Sequence, residues 1–469
     1  MLRQPNADPT RSHRQPGEED GLPMPRRIWA VVAISFGTAL FVLDGSVANV
    51  ALPTIGRELG VSNGVVTNVV TVYQLVLVMA LLPFSSMGDR IGHRTLYQIG
   101  QLIFLVASAL TFFVEDFAML LGVRAFQALG AGMALSVSAA MLRDIYPSKS
   151  LGSGMGINSV VVASAGAIAP TLGGFLVEHL DWRWVFIVGA PAAALSLLVG
   201  RSLPDPVRHH DRKPERIGGA WNALTVLLLI GGVQWATHAE NWWPGTVATA
   251  MGVLSLIFLV RYERARANPV LPIDLLARPV LGLSALAAVA AFMASGSLLI
   301  ALPFLFEQSF GYPPDQVGLL LLPFPLTLLF VAPAAGWLSD RVDATKLGVV
   351  GMTLAIAGLV LLMLMPDNPG AFPIAWRLAL TALGFGLFIA PNSRLLIGQA
   401  PRARSAAAGG MLSTSRLLGQ TLGAALVGVL LAQGLGQGPA PMIAAIVLCV
   451  VAVACGLARF NAVRQEPAT

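Results

Sequence analysis

Fourteen apolar stretches of 18 or more residues occupy most of this 469-residue chain. About 20 helical residues at a rise of 1.5 Å cross a hydrocarbon core of roughly 30 Å, so each stretch is long enough to be a transmembrane helix. They fall near residues 28–52, 62–87, 95–114, 117–142, 150–177, 183–201, 218–239, 244–262, 279–305, 315–339, 346–366, 373–394, 404–434 and 438–460. Only 12% of residues are charged and the mean hydropathy is +0.73. A soluble protein this long needs a charged surface that this sequence does not have. The predicted class is an all-α integral membrane protein.

Two short charged turns divide the stretches into sets. One reads Ser85-Ser86-Met87-Gly88-Asp89-Arg90-Ile91-Gly92-His93-Arg94, and the other runs from Gly336 to Lys346 around Ser339-Asp340-Arg341. Each joins the second and third segments of a six-segment set, the mark of an internal repeat. The predicted layout is six, two, six, giving two six-helix bundles plus two extra central helices. Residues 1–27 are polar and read as a disordered cytoplasmic tail, followed by an N-terminal bundle over 28–201. A cytoplasmic linker over 202–217, two inserted helices over 218–262 and a second linker over 263–278 come next. The C-terminal bundle spans 279–460 and a short cytoplasmic tail covers 461–469.

Charge placement sets the orientation. Of the 30 Lys and Arg, Arg57, Arg183 and Arg377 fall in odd-numbered connections, and Arg124 and Arg416 fall inside helices. The rest lie in the termini and even-numbered connections. This positive-inside bias predicts both termini in the cytoplasm. The basic pI of about 9.8 is therefore a topology signal and not a sign of a nucleic-acid partner. Cys449 and Cys455 share one apolar helix and predict neither a disulfide framework nor a metal site. His209-His210 beside basic residues reads as solvated linker.

Charge inside a membrane is costly, so each such residue marks a candidate site. Of the 24 acids, Asp44 is the one set well inside an apolar segment, about 24 Å from its cytoplasmic end at 1.5 Å per residue. A poorly solvated carboxylate suits reversible protonation. Arg124 in segment four keeps its charge and must face acceptors in the interior; it either tunes a carboxyl, holds substrate, or is structural. Segment five carries Gly166, Pro170, Gly173 and Gly174, a pattern for close helix packing and a bend. Glu307 at the outer end of segment nine is either a pathway residue or an exposed loop acid. Arg416 and Gln420 in segment thirteen are one turn apart and can share a polar face.

Together these residues resemble the major facilitator superfamily, and most closely its fourteen-helix drug/proton antiporter family. The likeness covers about residues 28–460. The first turn is similar to the motif G-x-L-A-D-R-x-G-R-K, retaining Asp89, Arg90, Gly92 and Arg94. The second retains Asp340 and Arg341. Leu43 to Pro53, around Asp44 and Asn49, resembles L-D-x-T-V-x-N-V-A-L-P. Arg124, Gln127 and Gly130 match the helix-four motif. Gly166, Pro170, Gly173 and Gly174 match the antiporter motif of helix five, with Ala169 in place of the Gly before Pro. Pro391-Asn392-Ser393-Arg394 and Gly410 to Arg416 resemble a branch associated with cationic antiseptics and dyes.

The resemblance implies a proton-coupled antiporter of the cytoplasmic membrane of a bacterium, exporting amphipathic and preferentially cationic compounds. It implies Asp44 and Arg124 in proton coupling. Asn49, Gln127, Glu307, Arg416 and Gln420 then belong to the substrate pathway. Asp89, Arg90, Gly92, Arg94, Asp340, Arg341, Gly166, Pro170, Gly173 and Gly174 take gating roles. A metabolite transporter, of an amino acid or a siderophore, is the alternative. The sequence has no G-x-x-x-x-G-K-[ST] run, so the expected drive is an ion gradient. A membrane enzyme lacks a place for its site here. The expected partners are a small molecule, protons and the bilayer; a monomer without cofactor or metal is expected.

Overall fold

The computed structural model describes residues 21–147, 151–204, 216–238, 242–264, 273–366, 369–400, 405–436 and 438–465. Among these residues there is no strand. Fourteen helices are long and apolar enough to cross a membrane. The first six are α1 (Arg26–Glu58), α2 (Asn63–Leu81), α3 (His93–Phe113), α4 (Phe117–Ser138), α5 (Val160–His179) and α6 (Trp182–Ser202). Two more follow, α7 (Gly218–Ala236) and α8 (Trp243–Arg264). The last six are α9 (Pro279–Ser309), α10 (Pro314–Leu338), α11 (Ala344–Met363), α12 (Ala371–Gly398), α13 (Ala408–Ala432) and α14 (Ala440–Asn461). The helix containing α2 continues to Ile91, and that containing α4 to Ile145.

The repeat is visible in the packing. Gly100 of α3 and Gly130 of α4 face each other so closely that a Cβ on either would lie 2.5–2.6 Å from the other's carbonyl oxygen. Gly351 of α11 and Gly384 of α12, the third and fourth helices of the other half, do the same at 2.5–2.7 Å. Small residues let two backbones approach where lipid supplies no hydrophobic drive between helices. Each half also has an apolar core, with Phe41 edge-on to Phe104 in one (5.4 Å between centroids) and Phe324 tilted on Phe385 in the other (6.0 Å).

α7 and α8 form a hairpin against the first half. Trp221 Nε1 donates to Ser255 Oγ at 2.9 Å, and Gln234 Nε2 donates to Thr71 Oγ1 of α2 at 3.3 Å. Met251, Leu254 and Phe258 of α8 stay exposed, as a lipid-facing helix requires.

The expected linkers fall largely outside the described residues, His209 and His210 included. Of the expected tail over 1–27, residues 21–27 are described. Leu22 N donates to Ile145 O at 3.0 Å, and Arg26 reaches Ser202 O at 3.2 Å and Leu203 O at 2.9 Å. These bonds bind the first described residues to the ends of α4 and α6. Glycine 92 ends one helix and opens α3 with φ +96°, in the left-handed region that favours glycine.

Arg459 is 2% exposed within α14. Its Nη1 donates to Ser284 Oγ of α9 at 2.7 Å and to Asn392 Oδ1 of α12 at 3.0 Å, while Asn392 Nδ2 donates to Ser284 O at 3.0 Å. Asn392, part of a segment resembling a substrate-related motif, thus ties three helices together. Asn392→Leu should lower stability by about 1–3 kcal/mol, because it strands a buried charged donor. A thermal unfolding scan of the purified protein in detergent checks this; an unchanged midpoint would contradict it.

Candidate functional site

Asp44 is 1% exposed and Arg124 is fully buried. The long apolar register of α1 carries the carboxylate inward, and α4 brings the guanidinium to it. Arg124 Nη1 donates to Asp44 Oδ2 at 2.9 Å, to Asp44 Oδ1 at 3.1 Å and to Gln127 Oε1 at 2.7 Å. Gln127 is held in turn, its Nε2 donating to Ser108 Oγ at 2.9 Å and Phe186 O at 3.3 Å. The guanidinium lies over the Tyr73 ring at 4.2 Å and the Phe186 ring at 4.7 Å, a double cation–π arrangement. The pair is electrically neutral. Removing two ions from water is expensive, and the attraction repays it only with good geometry and extra hydrogen bonds. Here one acid, one amide, the Val69 carbonyl oxygen and two ring faces serve one arginine, whose Nη2 has no hydrogen-bond partner.

Sequence reasoning named Asp44, Arg124 and Gln127 as site residues but gave no site role to Tyr73, Ser108 or Phe186. A lone Tyr, Ser or Phe in an apolar helix carries no charge signal. Asn49, on the same helix, has a buried Oδ1 with no hydrogen-bond partner.

Glu307 corrects one alternative, since it is not an exposed loop acid. Its side chain is 6% exposed and its Oε1 lies 2.6 Å from Arg57 Nη2 of α1. The helix of α9 runs on through Ser309 as a widened turn, carrying the acid against the other half. Next to it Asn63 and Gln308 exchange side-chain hydrogen bonds at 2.7 and 3.1 Å. Both pairs join the first half to the second, at the end opposite the charged turns.

The helix-five motif lies at that same end. A Cβ on Gly174 would strike the Pro314 carbonyl oxygen of α10, and one on Gly318 of α10 would strike that of Pro170. Thr171 Oγ1 donates to Gly318 O at 3.4 Å. Gly173 lies over Val47 O of α1, where a Cβ would be 2.9 Å away, and Gly166 faces Val42. The glycines and Pro170 therefore form the contact of α5 with α1 and α10.

The charged turns behave differently. Asp340 pairs with Arg394 Nη2 at 3.0 Å, and Arg394 Nη1 also donates to Ser339 O. Arg394 belongs to α12, so this second turn is fastened inside its own half. Arg341 stacks on Trp337 at 3.5 Å, and Asp343 caps α11 by accepting from Thr345 N at 2.8 Å and Lys346 N at 3.0 Å. The Asp89 side chain lies outside the described residues. Arg90 is exposed and Arg94 half-buried.

Two six-helix halves closed together at one end, with a buried acid–base pair inside one of them, define a membrane transporter of the major facilitator fold. The sequence agrees: the profile of the Major Facilitator Superfamily matches residues 34–277 and 284–469. The chain belongs to that superfamily. It is 38% identical over 438 residues to "Uncharacterized transporter YebQ" of Escherichia coli, covering 93% of this chain and 96% of that one. It is 28% identical to "Riboflavin transporter RibZ" of Clostridioides difficile, covering 87% of this chain and 89% of RibZ. It is 30% identical to "Puromycin resistance protein pur8" of Streptomyces alboniger, covering 86% of this chain and 82% of the relative.

Proposed function

We propose that this protein is a proton-driven exporter of amphipathic small molecules in the bacterial cytoplasmic membrane. The observation that carries the reading is the buried Asp44–Arg124 pair. A proton arriving at Asp44 removes the negative partner of a guanidinium that cannot itself deprotonate. Arg124 must then lean on Gln127 and the two rings, and the packing of α1 against α4 changes. Proton binding is in this way converted into a change between helices, the requirement for coupling an ion gradient to alternating access.

Both termini lie in the cytoplasm on this reading, from the positive-inside bias. The charged turns then face inward, and the end joined by Arg57–Glu307, Asn63–Gln308 and Gly174–Pro314 is the closed outer gate. The protein works as a monomer, without cofactor, and is not an enzyme. Puromycin resistance in a relative supports drug efflux. The named riboflavin transport of another favours a second reading, movement of an amphipathic metabolite on the same machinery.

The test is a susceptibility panel in an exporter-deficient host, followed by everted vesicles with an imposed pH gradient. Gradient-dependent accumulation of a compound to which the chain confers tolerance is the expected result. Accumulation unaffected by a protonophore would refute proton coupling. A milder outcome is expected at the gate. Glu307→Arg should cut export several-fold, since it sets two arginines together where the Glu307 side chain is 6% exposed and that of Arg57 is 63% exposed, and Arg57→Glu in the same chain should recover most of it. No recovery in the double variant would argue against the gate pair.

A further inference from the structure

The polar face of α13 carries information about the substrate that the paired charges do not. At about 100° per helical residue, Ser413, Arg416, Gln420, Ala424, Val427 and Leu431 fall within an arc of about 80°. Toward the closed end, Ala424, Val427 and Leu431 are buried in one core with Val47, Leu52, Val66 and Val69 of the other half. Toward the charged turns Leu417, beside this face, still packs into the core of the first half, whereas Ser413 and Arg416 are exposed and Gln420 is half-buried. The stripe that closes against the partner half at one end thus borders the gap between halves further along. Gly419 and Gly423, on the flank of the stripe, pack on α9 through Val289 O and Met293 O, which fixes the rotation of the helix. Arg416 therefore faces the gap between the halves, not lipid.

The charges around it are already used. Asp44 is taken by Arg124, and Glu307 by Arg57. Arg459 is buried away from the gap with Ser284 and Asn392. Arg416 and Gln420 make no hydrogen bond, ion pair or ring contact with any described residue. A guanidinium facing a gap at membrane depth, with an unengaged amide one turn away, is a pair of donors lacking an acceptor.

We propose that Arg416 and Gln420 form an anion-accepting subsite in the transport pathway, and that the preferred substrates carry a carboxylate or a similar single negative charge. The proposal rests on the exporter reading and reverses the cation preference expected from the sequence. That expectation came from the family resemblance, without the pairing of Asp44 in view. With Asp44 neutralised by Arg124, the exposed charge left in the gap is positive. An arginine fork binds a carboxylate through two parallel hydrogen bonds, and the low dielectric strengthens both. A lipophilic cation would meet repulsion at the same position.

The probes are tritiated 1-naphthylacetate, its neutral amide 1-naphthylacetamide, and the cation 2-(1-naphthyl)ethylamine. Equilibrium dialysis of the purified full chain in a neutral detergent measures binding with no gradient present. The carboxylate should bind tightest in the wild type. Arg416→Gln should weaken the carboxylate about 10- to 100-fold, as loss of a charge-assisted contact does, while the cation binds equally or better. Arg416→Lys should restore part of the loss, and the retained cation binding shows that the Gln variant is folded. A wild type that fails to bind the carboxylate, or binds the cation more tightly, overturns the proposal. So does an Arg416→Gln chain with unchanged carboxylate affinity. Accumulation of the same compounds in everted vesicles reads the exporter reading separately. Transport without the affinity pattern sinks the subsite alone, and the affinity pattern without gradient-driven accumulation sinks the exporter alone.

Discussion

Asp44→Asn is expected to abolish pH-gradient-driven export in everted vesicles. The substitution keeps the size of the side chain and removes the proton it exchanges. It also removes the carboxylate that accepts from Arg124 Nη1 at 2.9 and 3.1 Å. Breaking one partner of a buried pair costs about 3–5 kcal/mol, because the other charge stays buried without compensation. Lost transport could then reflect lost fold, and a second variant separates the two. Asp44→Asn combined with Arg124→Gln removes both charges and should return the unfolding midpoint toward that of the wild type. Export should remain absent, since no titrating group is left at the site. Thermal unfolding and vesicle transport measured on the single and double variants decide it. Gradient-driven export by a well-folded double variant would show that the coupling proton travels elsewhere.

The fold was largely readable from the amino-acid sequence because the bilayer imposes one length and one polarity on every helix. Fourteen apolar segments became fourteen helices, with ends displaced by a few residues. Asp44 and Arg124 were readable for the same reason, since an ion in an apolar run is conspicuous. That they pair was not readable, because 80 residues separate them and α1 and α4 must pack first. Tyr73 and Phe186, which cover the guanidinium, look in sequence like any other core ring. Glu307 shows the opposite failure. Near a segment end it reads equally well as solvated or buried, and only the widened last turn of α9 and the approach of Arg57 decide the matter. The charge of the cavity was not readable either, because a count of ions does not say which of them pair with one another.

Some motif residues turned out to be fasteners within a half and others contacts between halves. Asp340 and Arg394 close the second charged turn on its own half. Gly174 and Pro170 do the reverse, holding α5 to α10 across the molecule. This distinction predicts which substitutions change the balance of states and which change stability alone. An intra-half contact persists in every state of a rocking transporter. A contact between halves exists in only one of them, so its loss shifts the population by the full energy of the contact.

Gly174→Val is therefore expected to hold the outer gate open and stop transport of every substrate together. Its Cβ would overlap the Pro314 carbonyl oxygen, a backbone atom that cannot rotate away as a side-chain tip does. Overpacking at a tight contact costs about 1–3 kcal/mol, enough to change a two-state ratio by roughly 5- to 150-fold. The cost falls only on the state in which α5 meets α10, so the alternative state is favoured and the chain stays folded. Cysteines at Asn63 and Gln308, whose side chains exchange hydrogen bonds at 2.7 and 3.1 Å, report that state directly. Cys449 and Cys455 are both buried, which keeps the background low. In an otherwise wild-type chain the introduced pair should cross-link readily under mild oxidation. In the Gly174→Val chain the yield should fall at least several-fold, and export should fall with it. Undiminished cross-linking alongside lost export would place the defect somewhere other than the gate. Undiminished export would show that the contact of α5 with α10 is not required for the transport cycle.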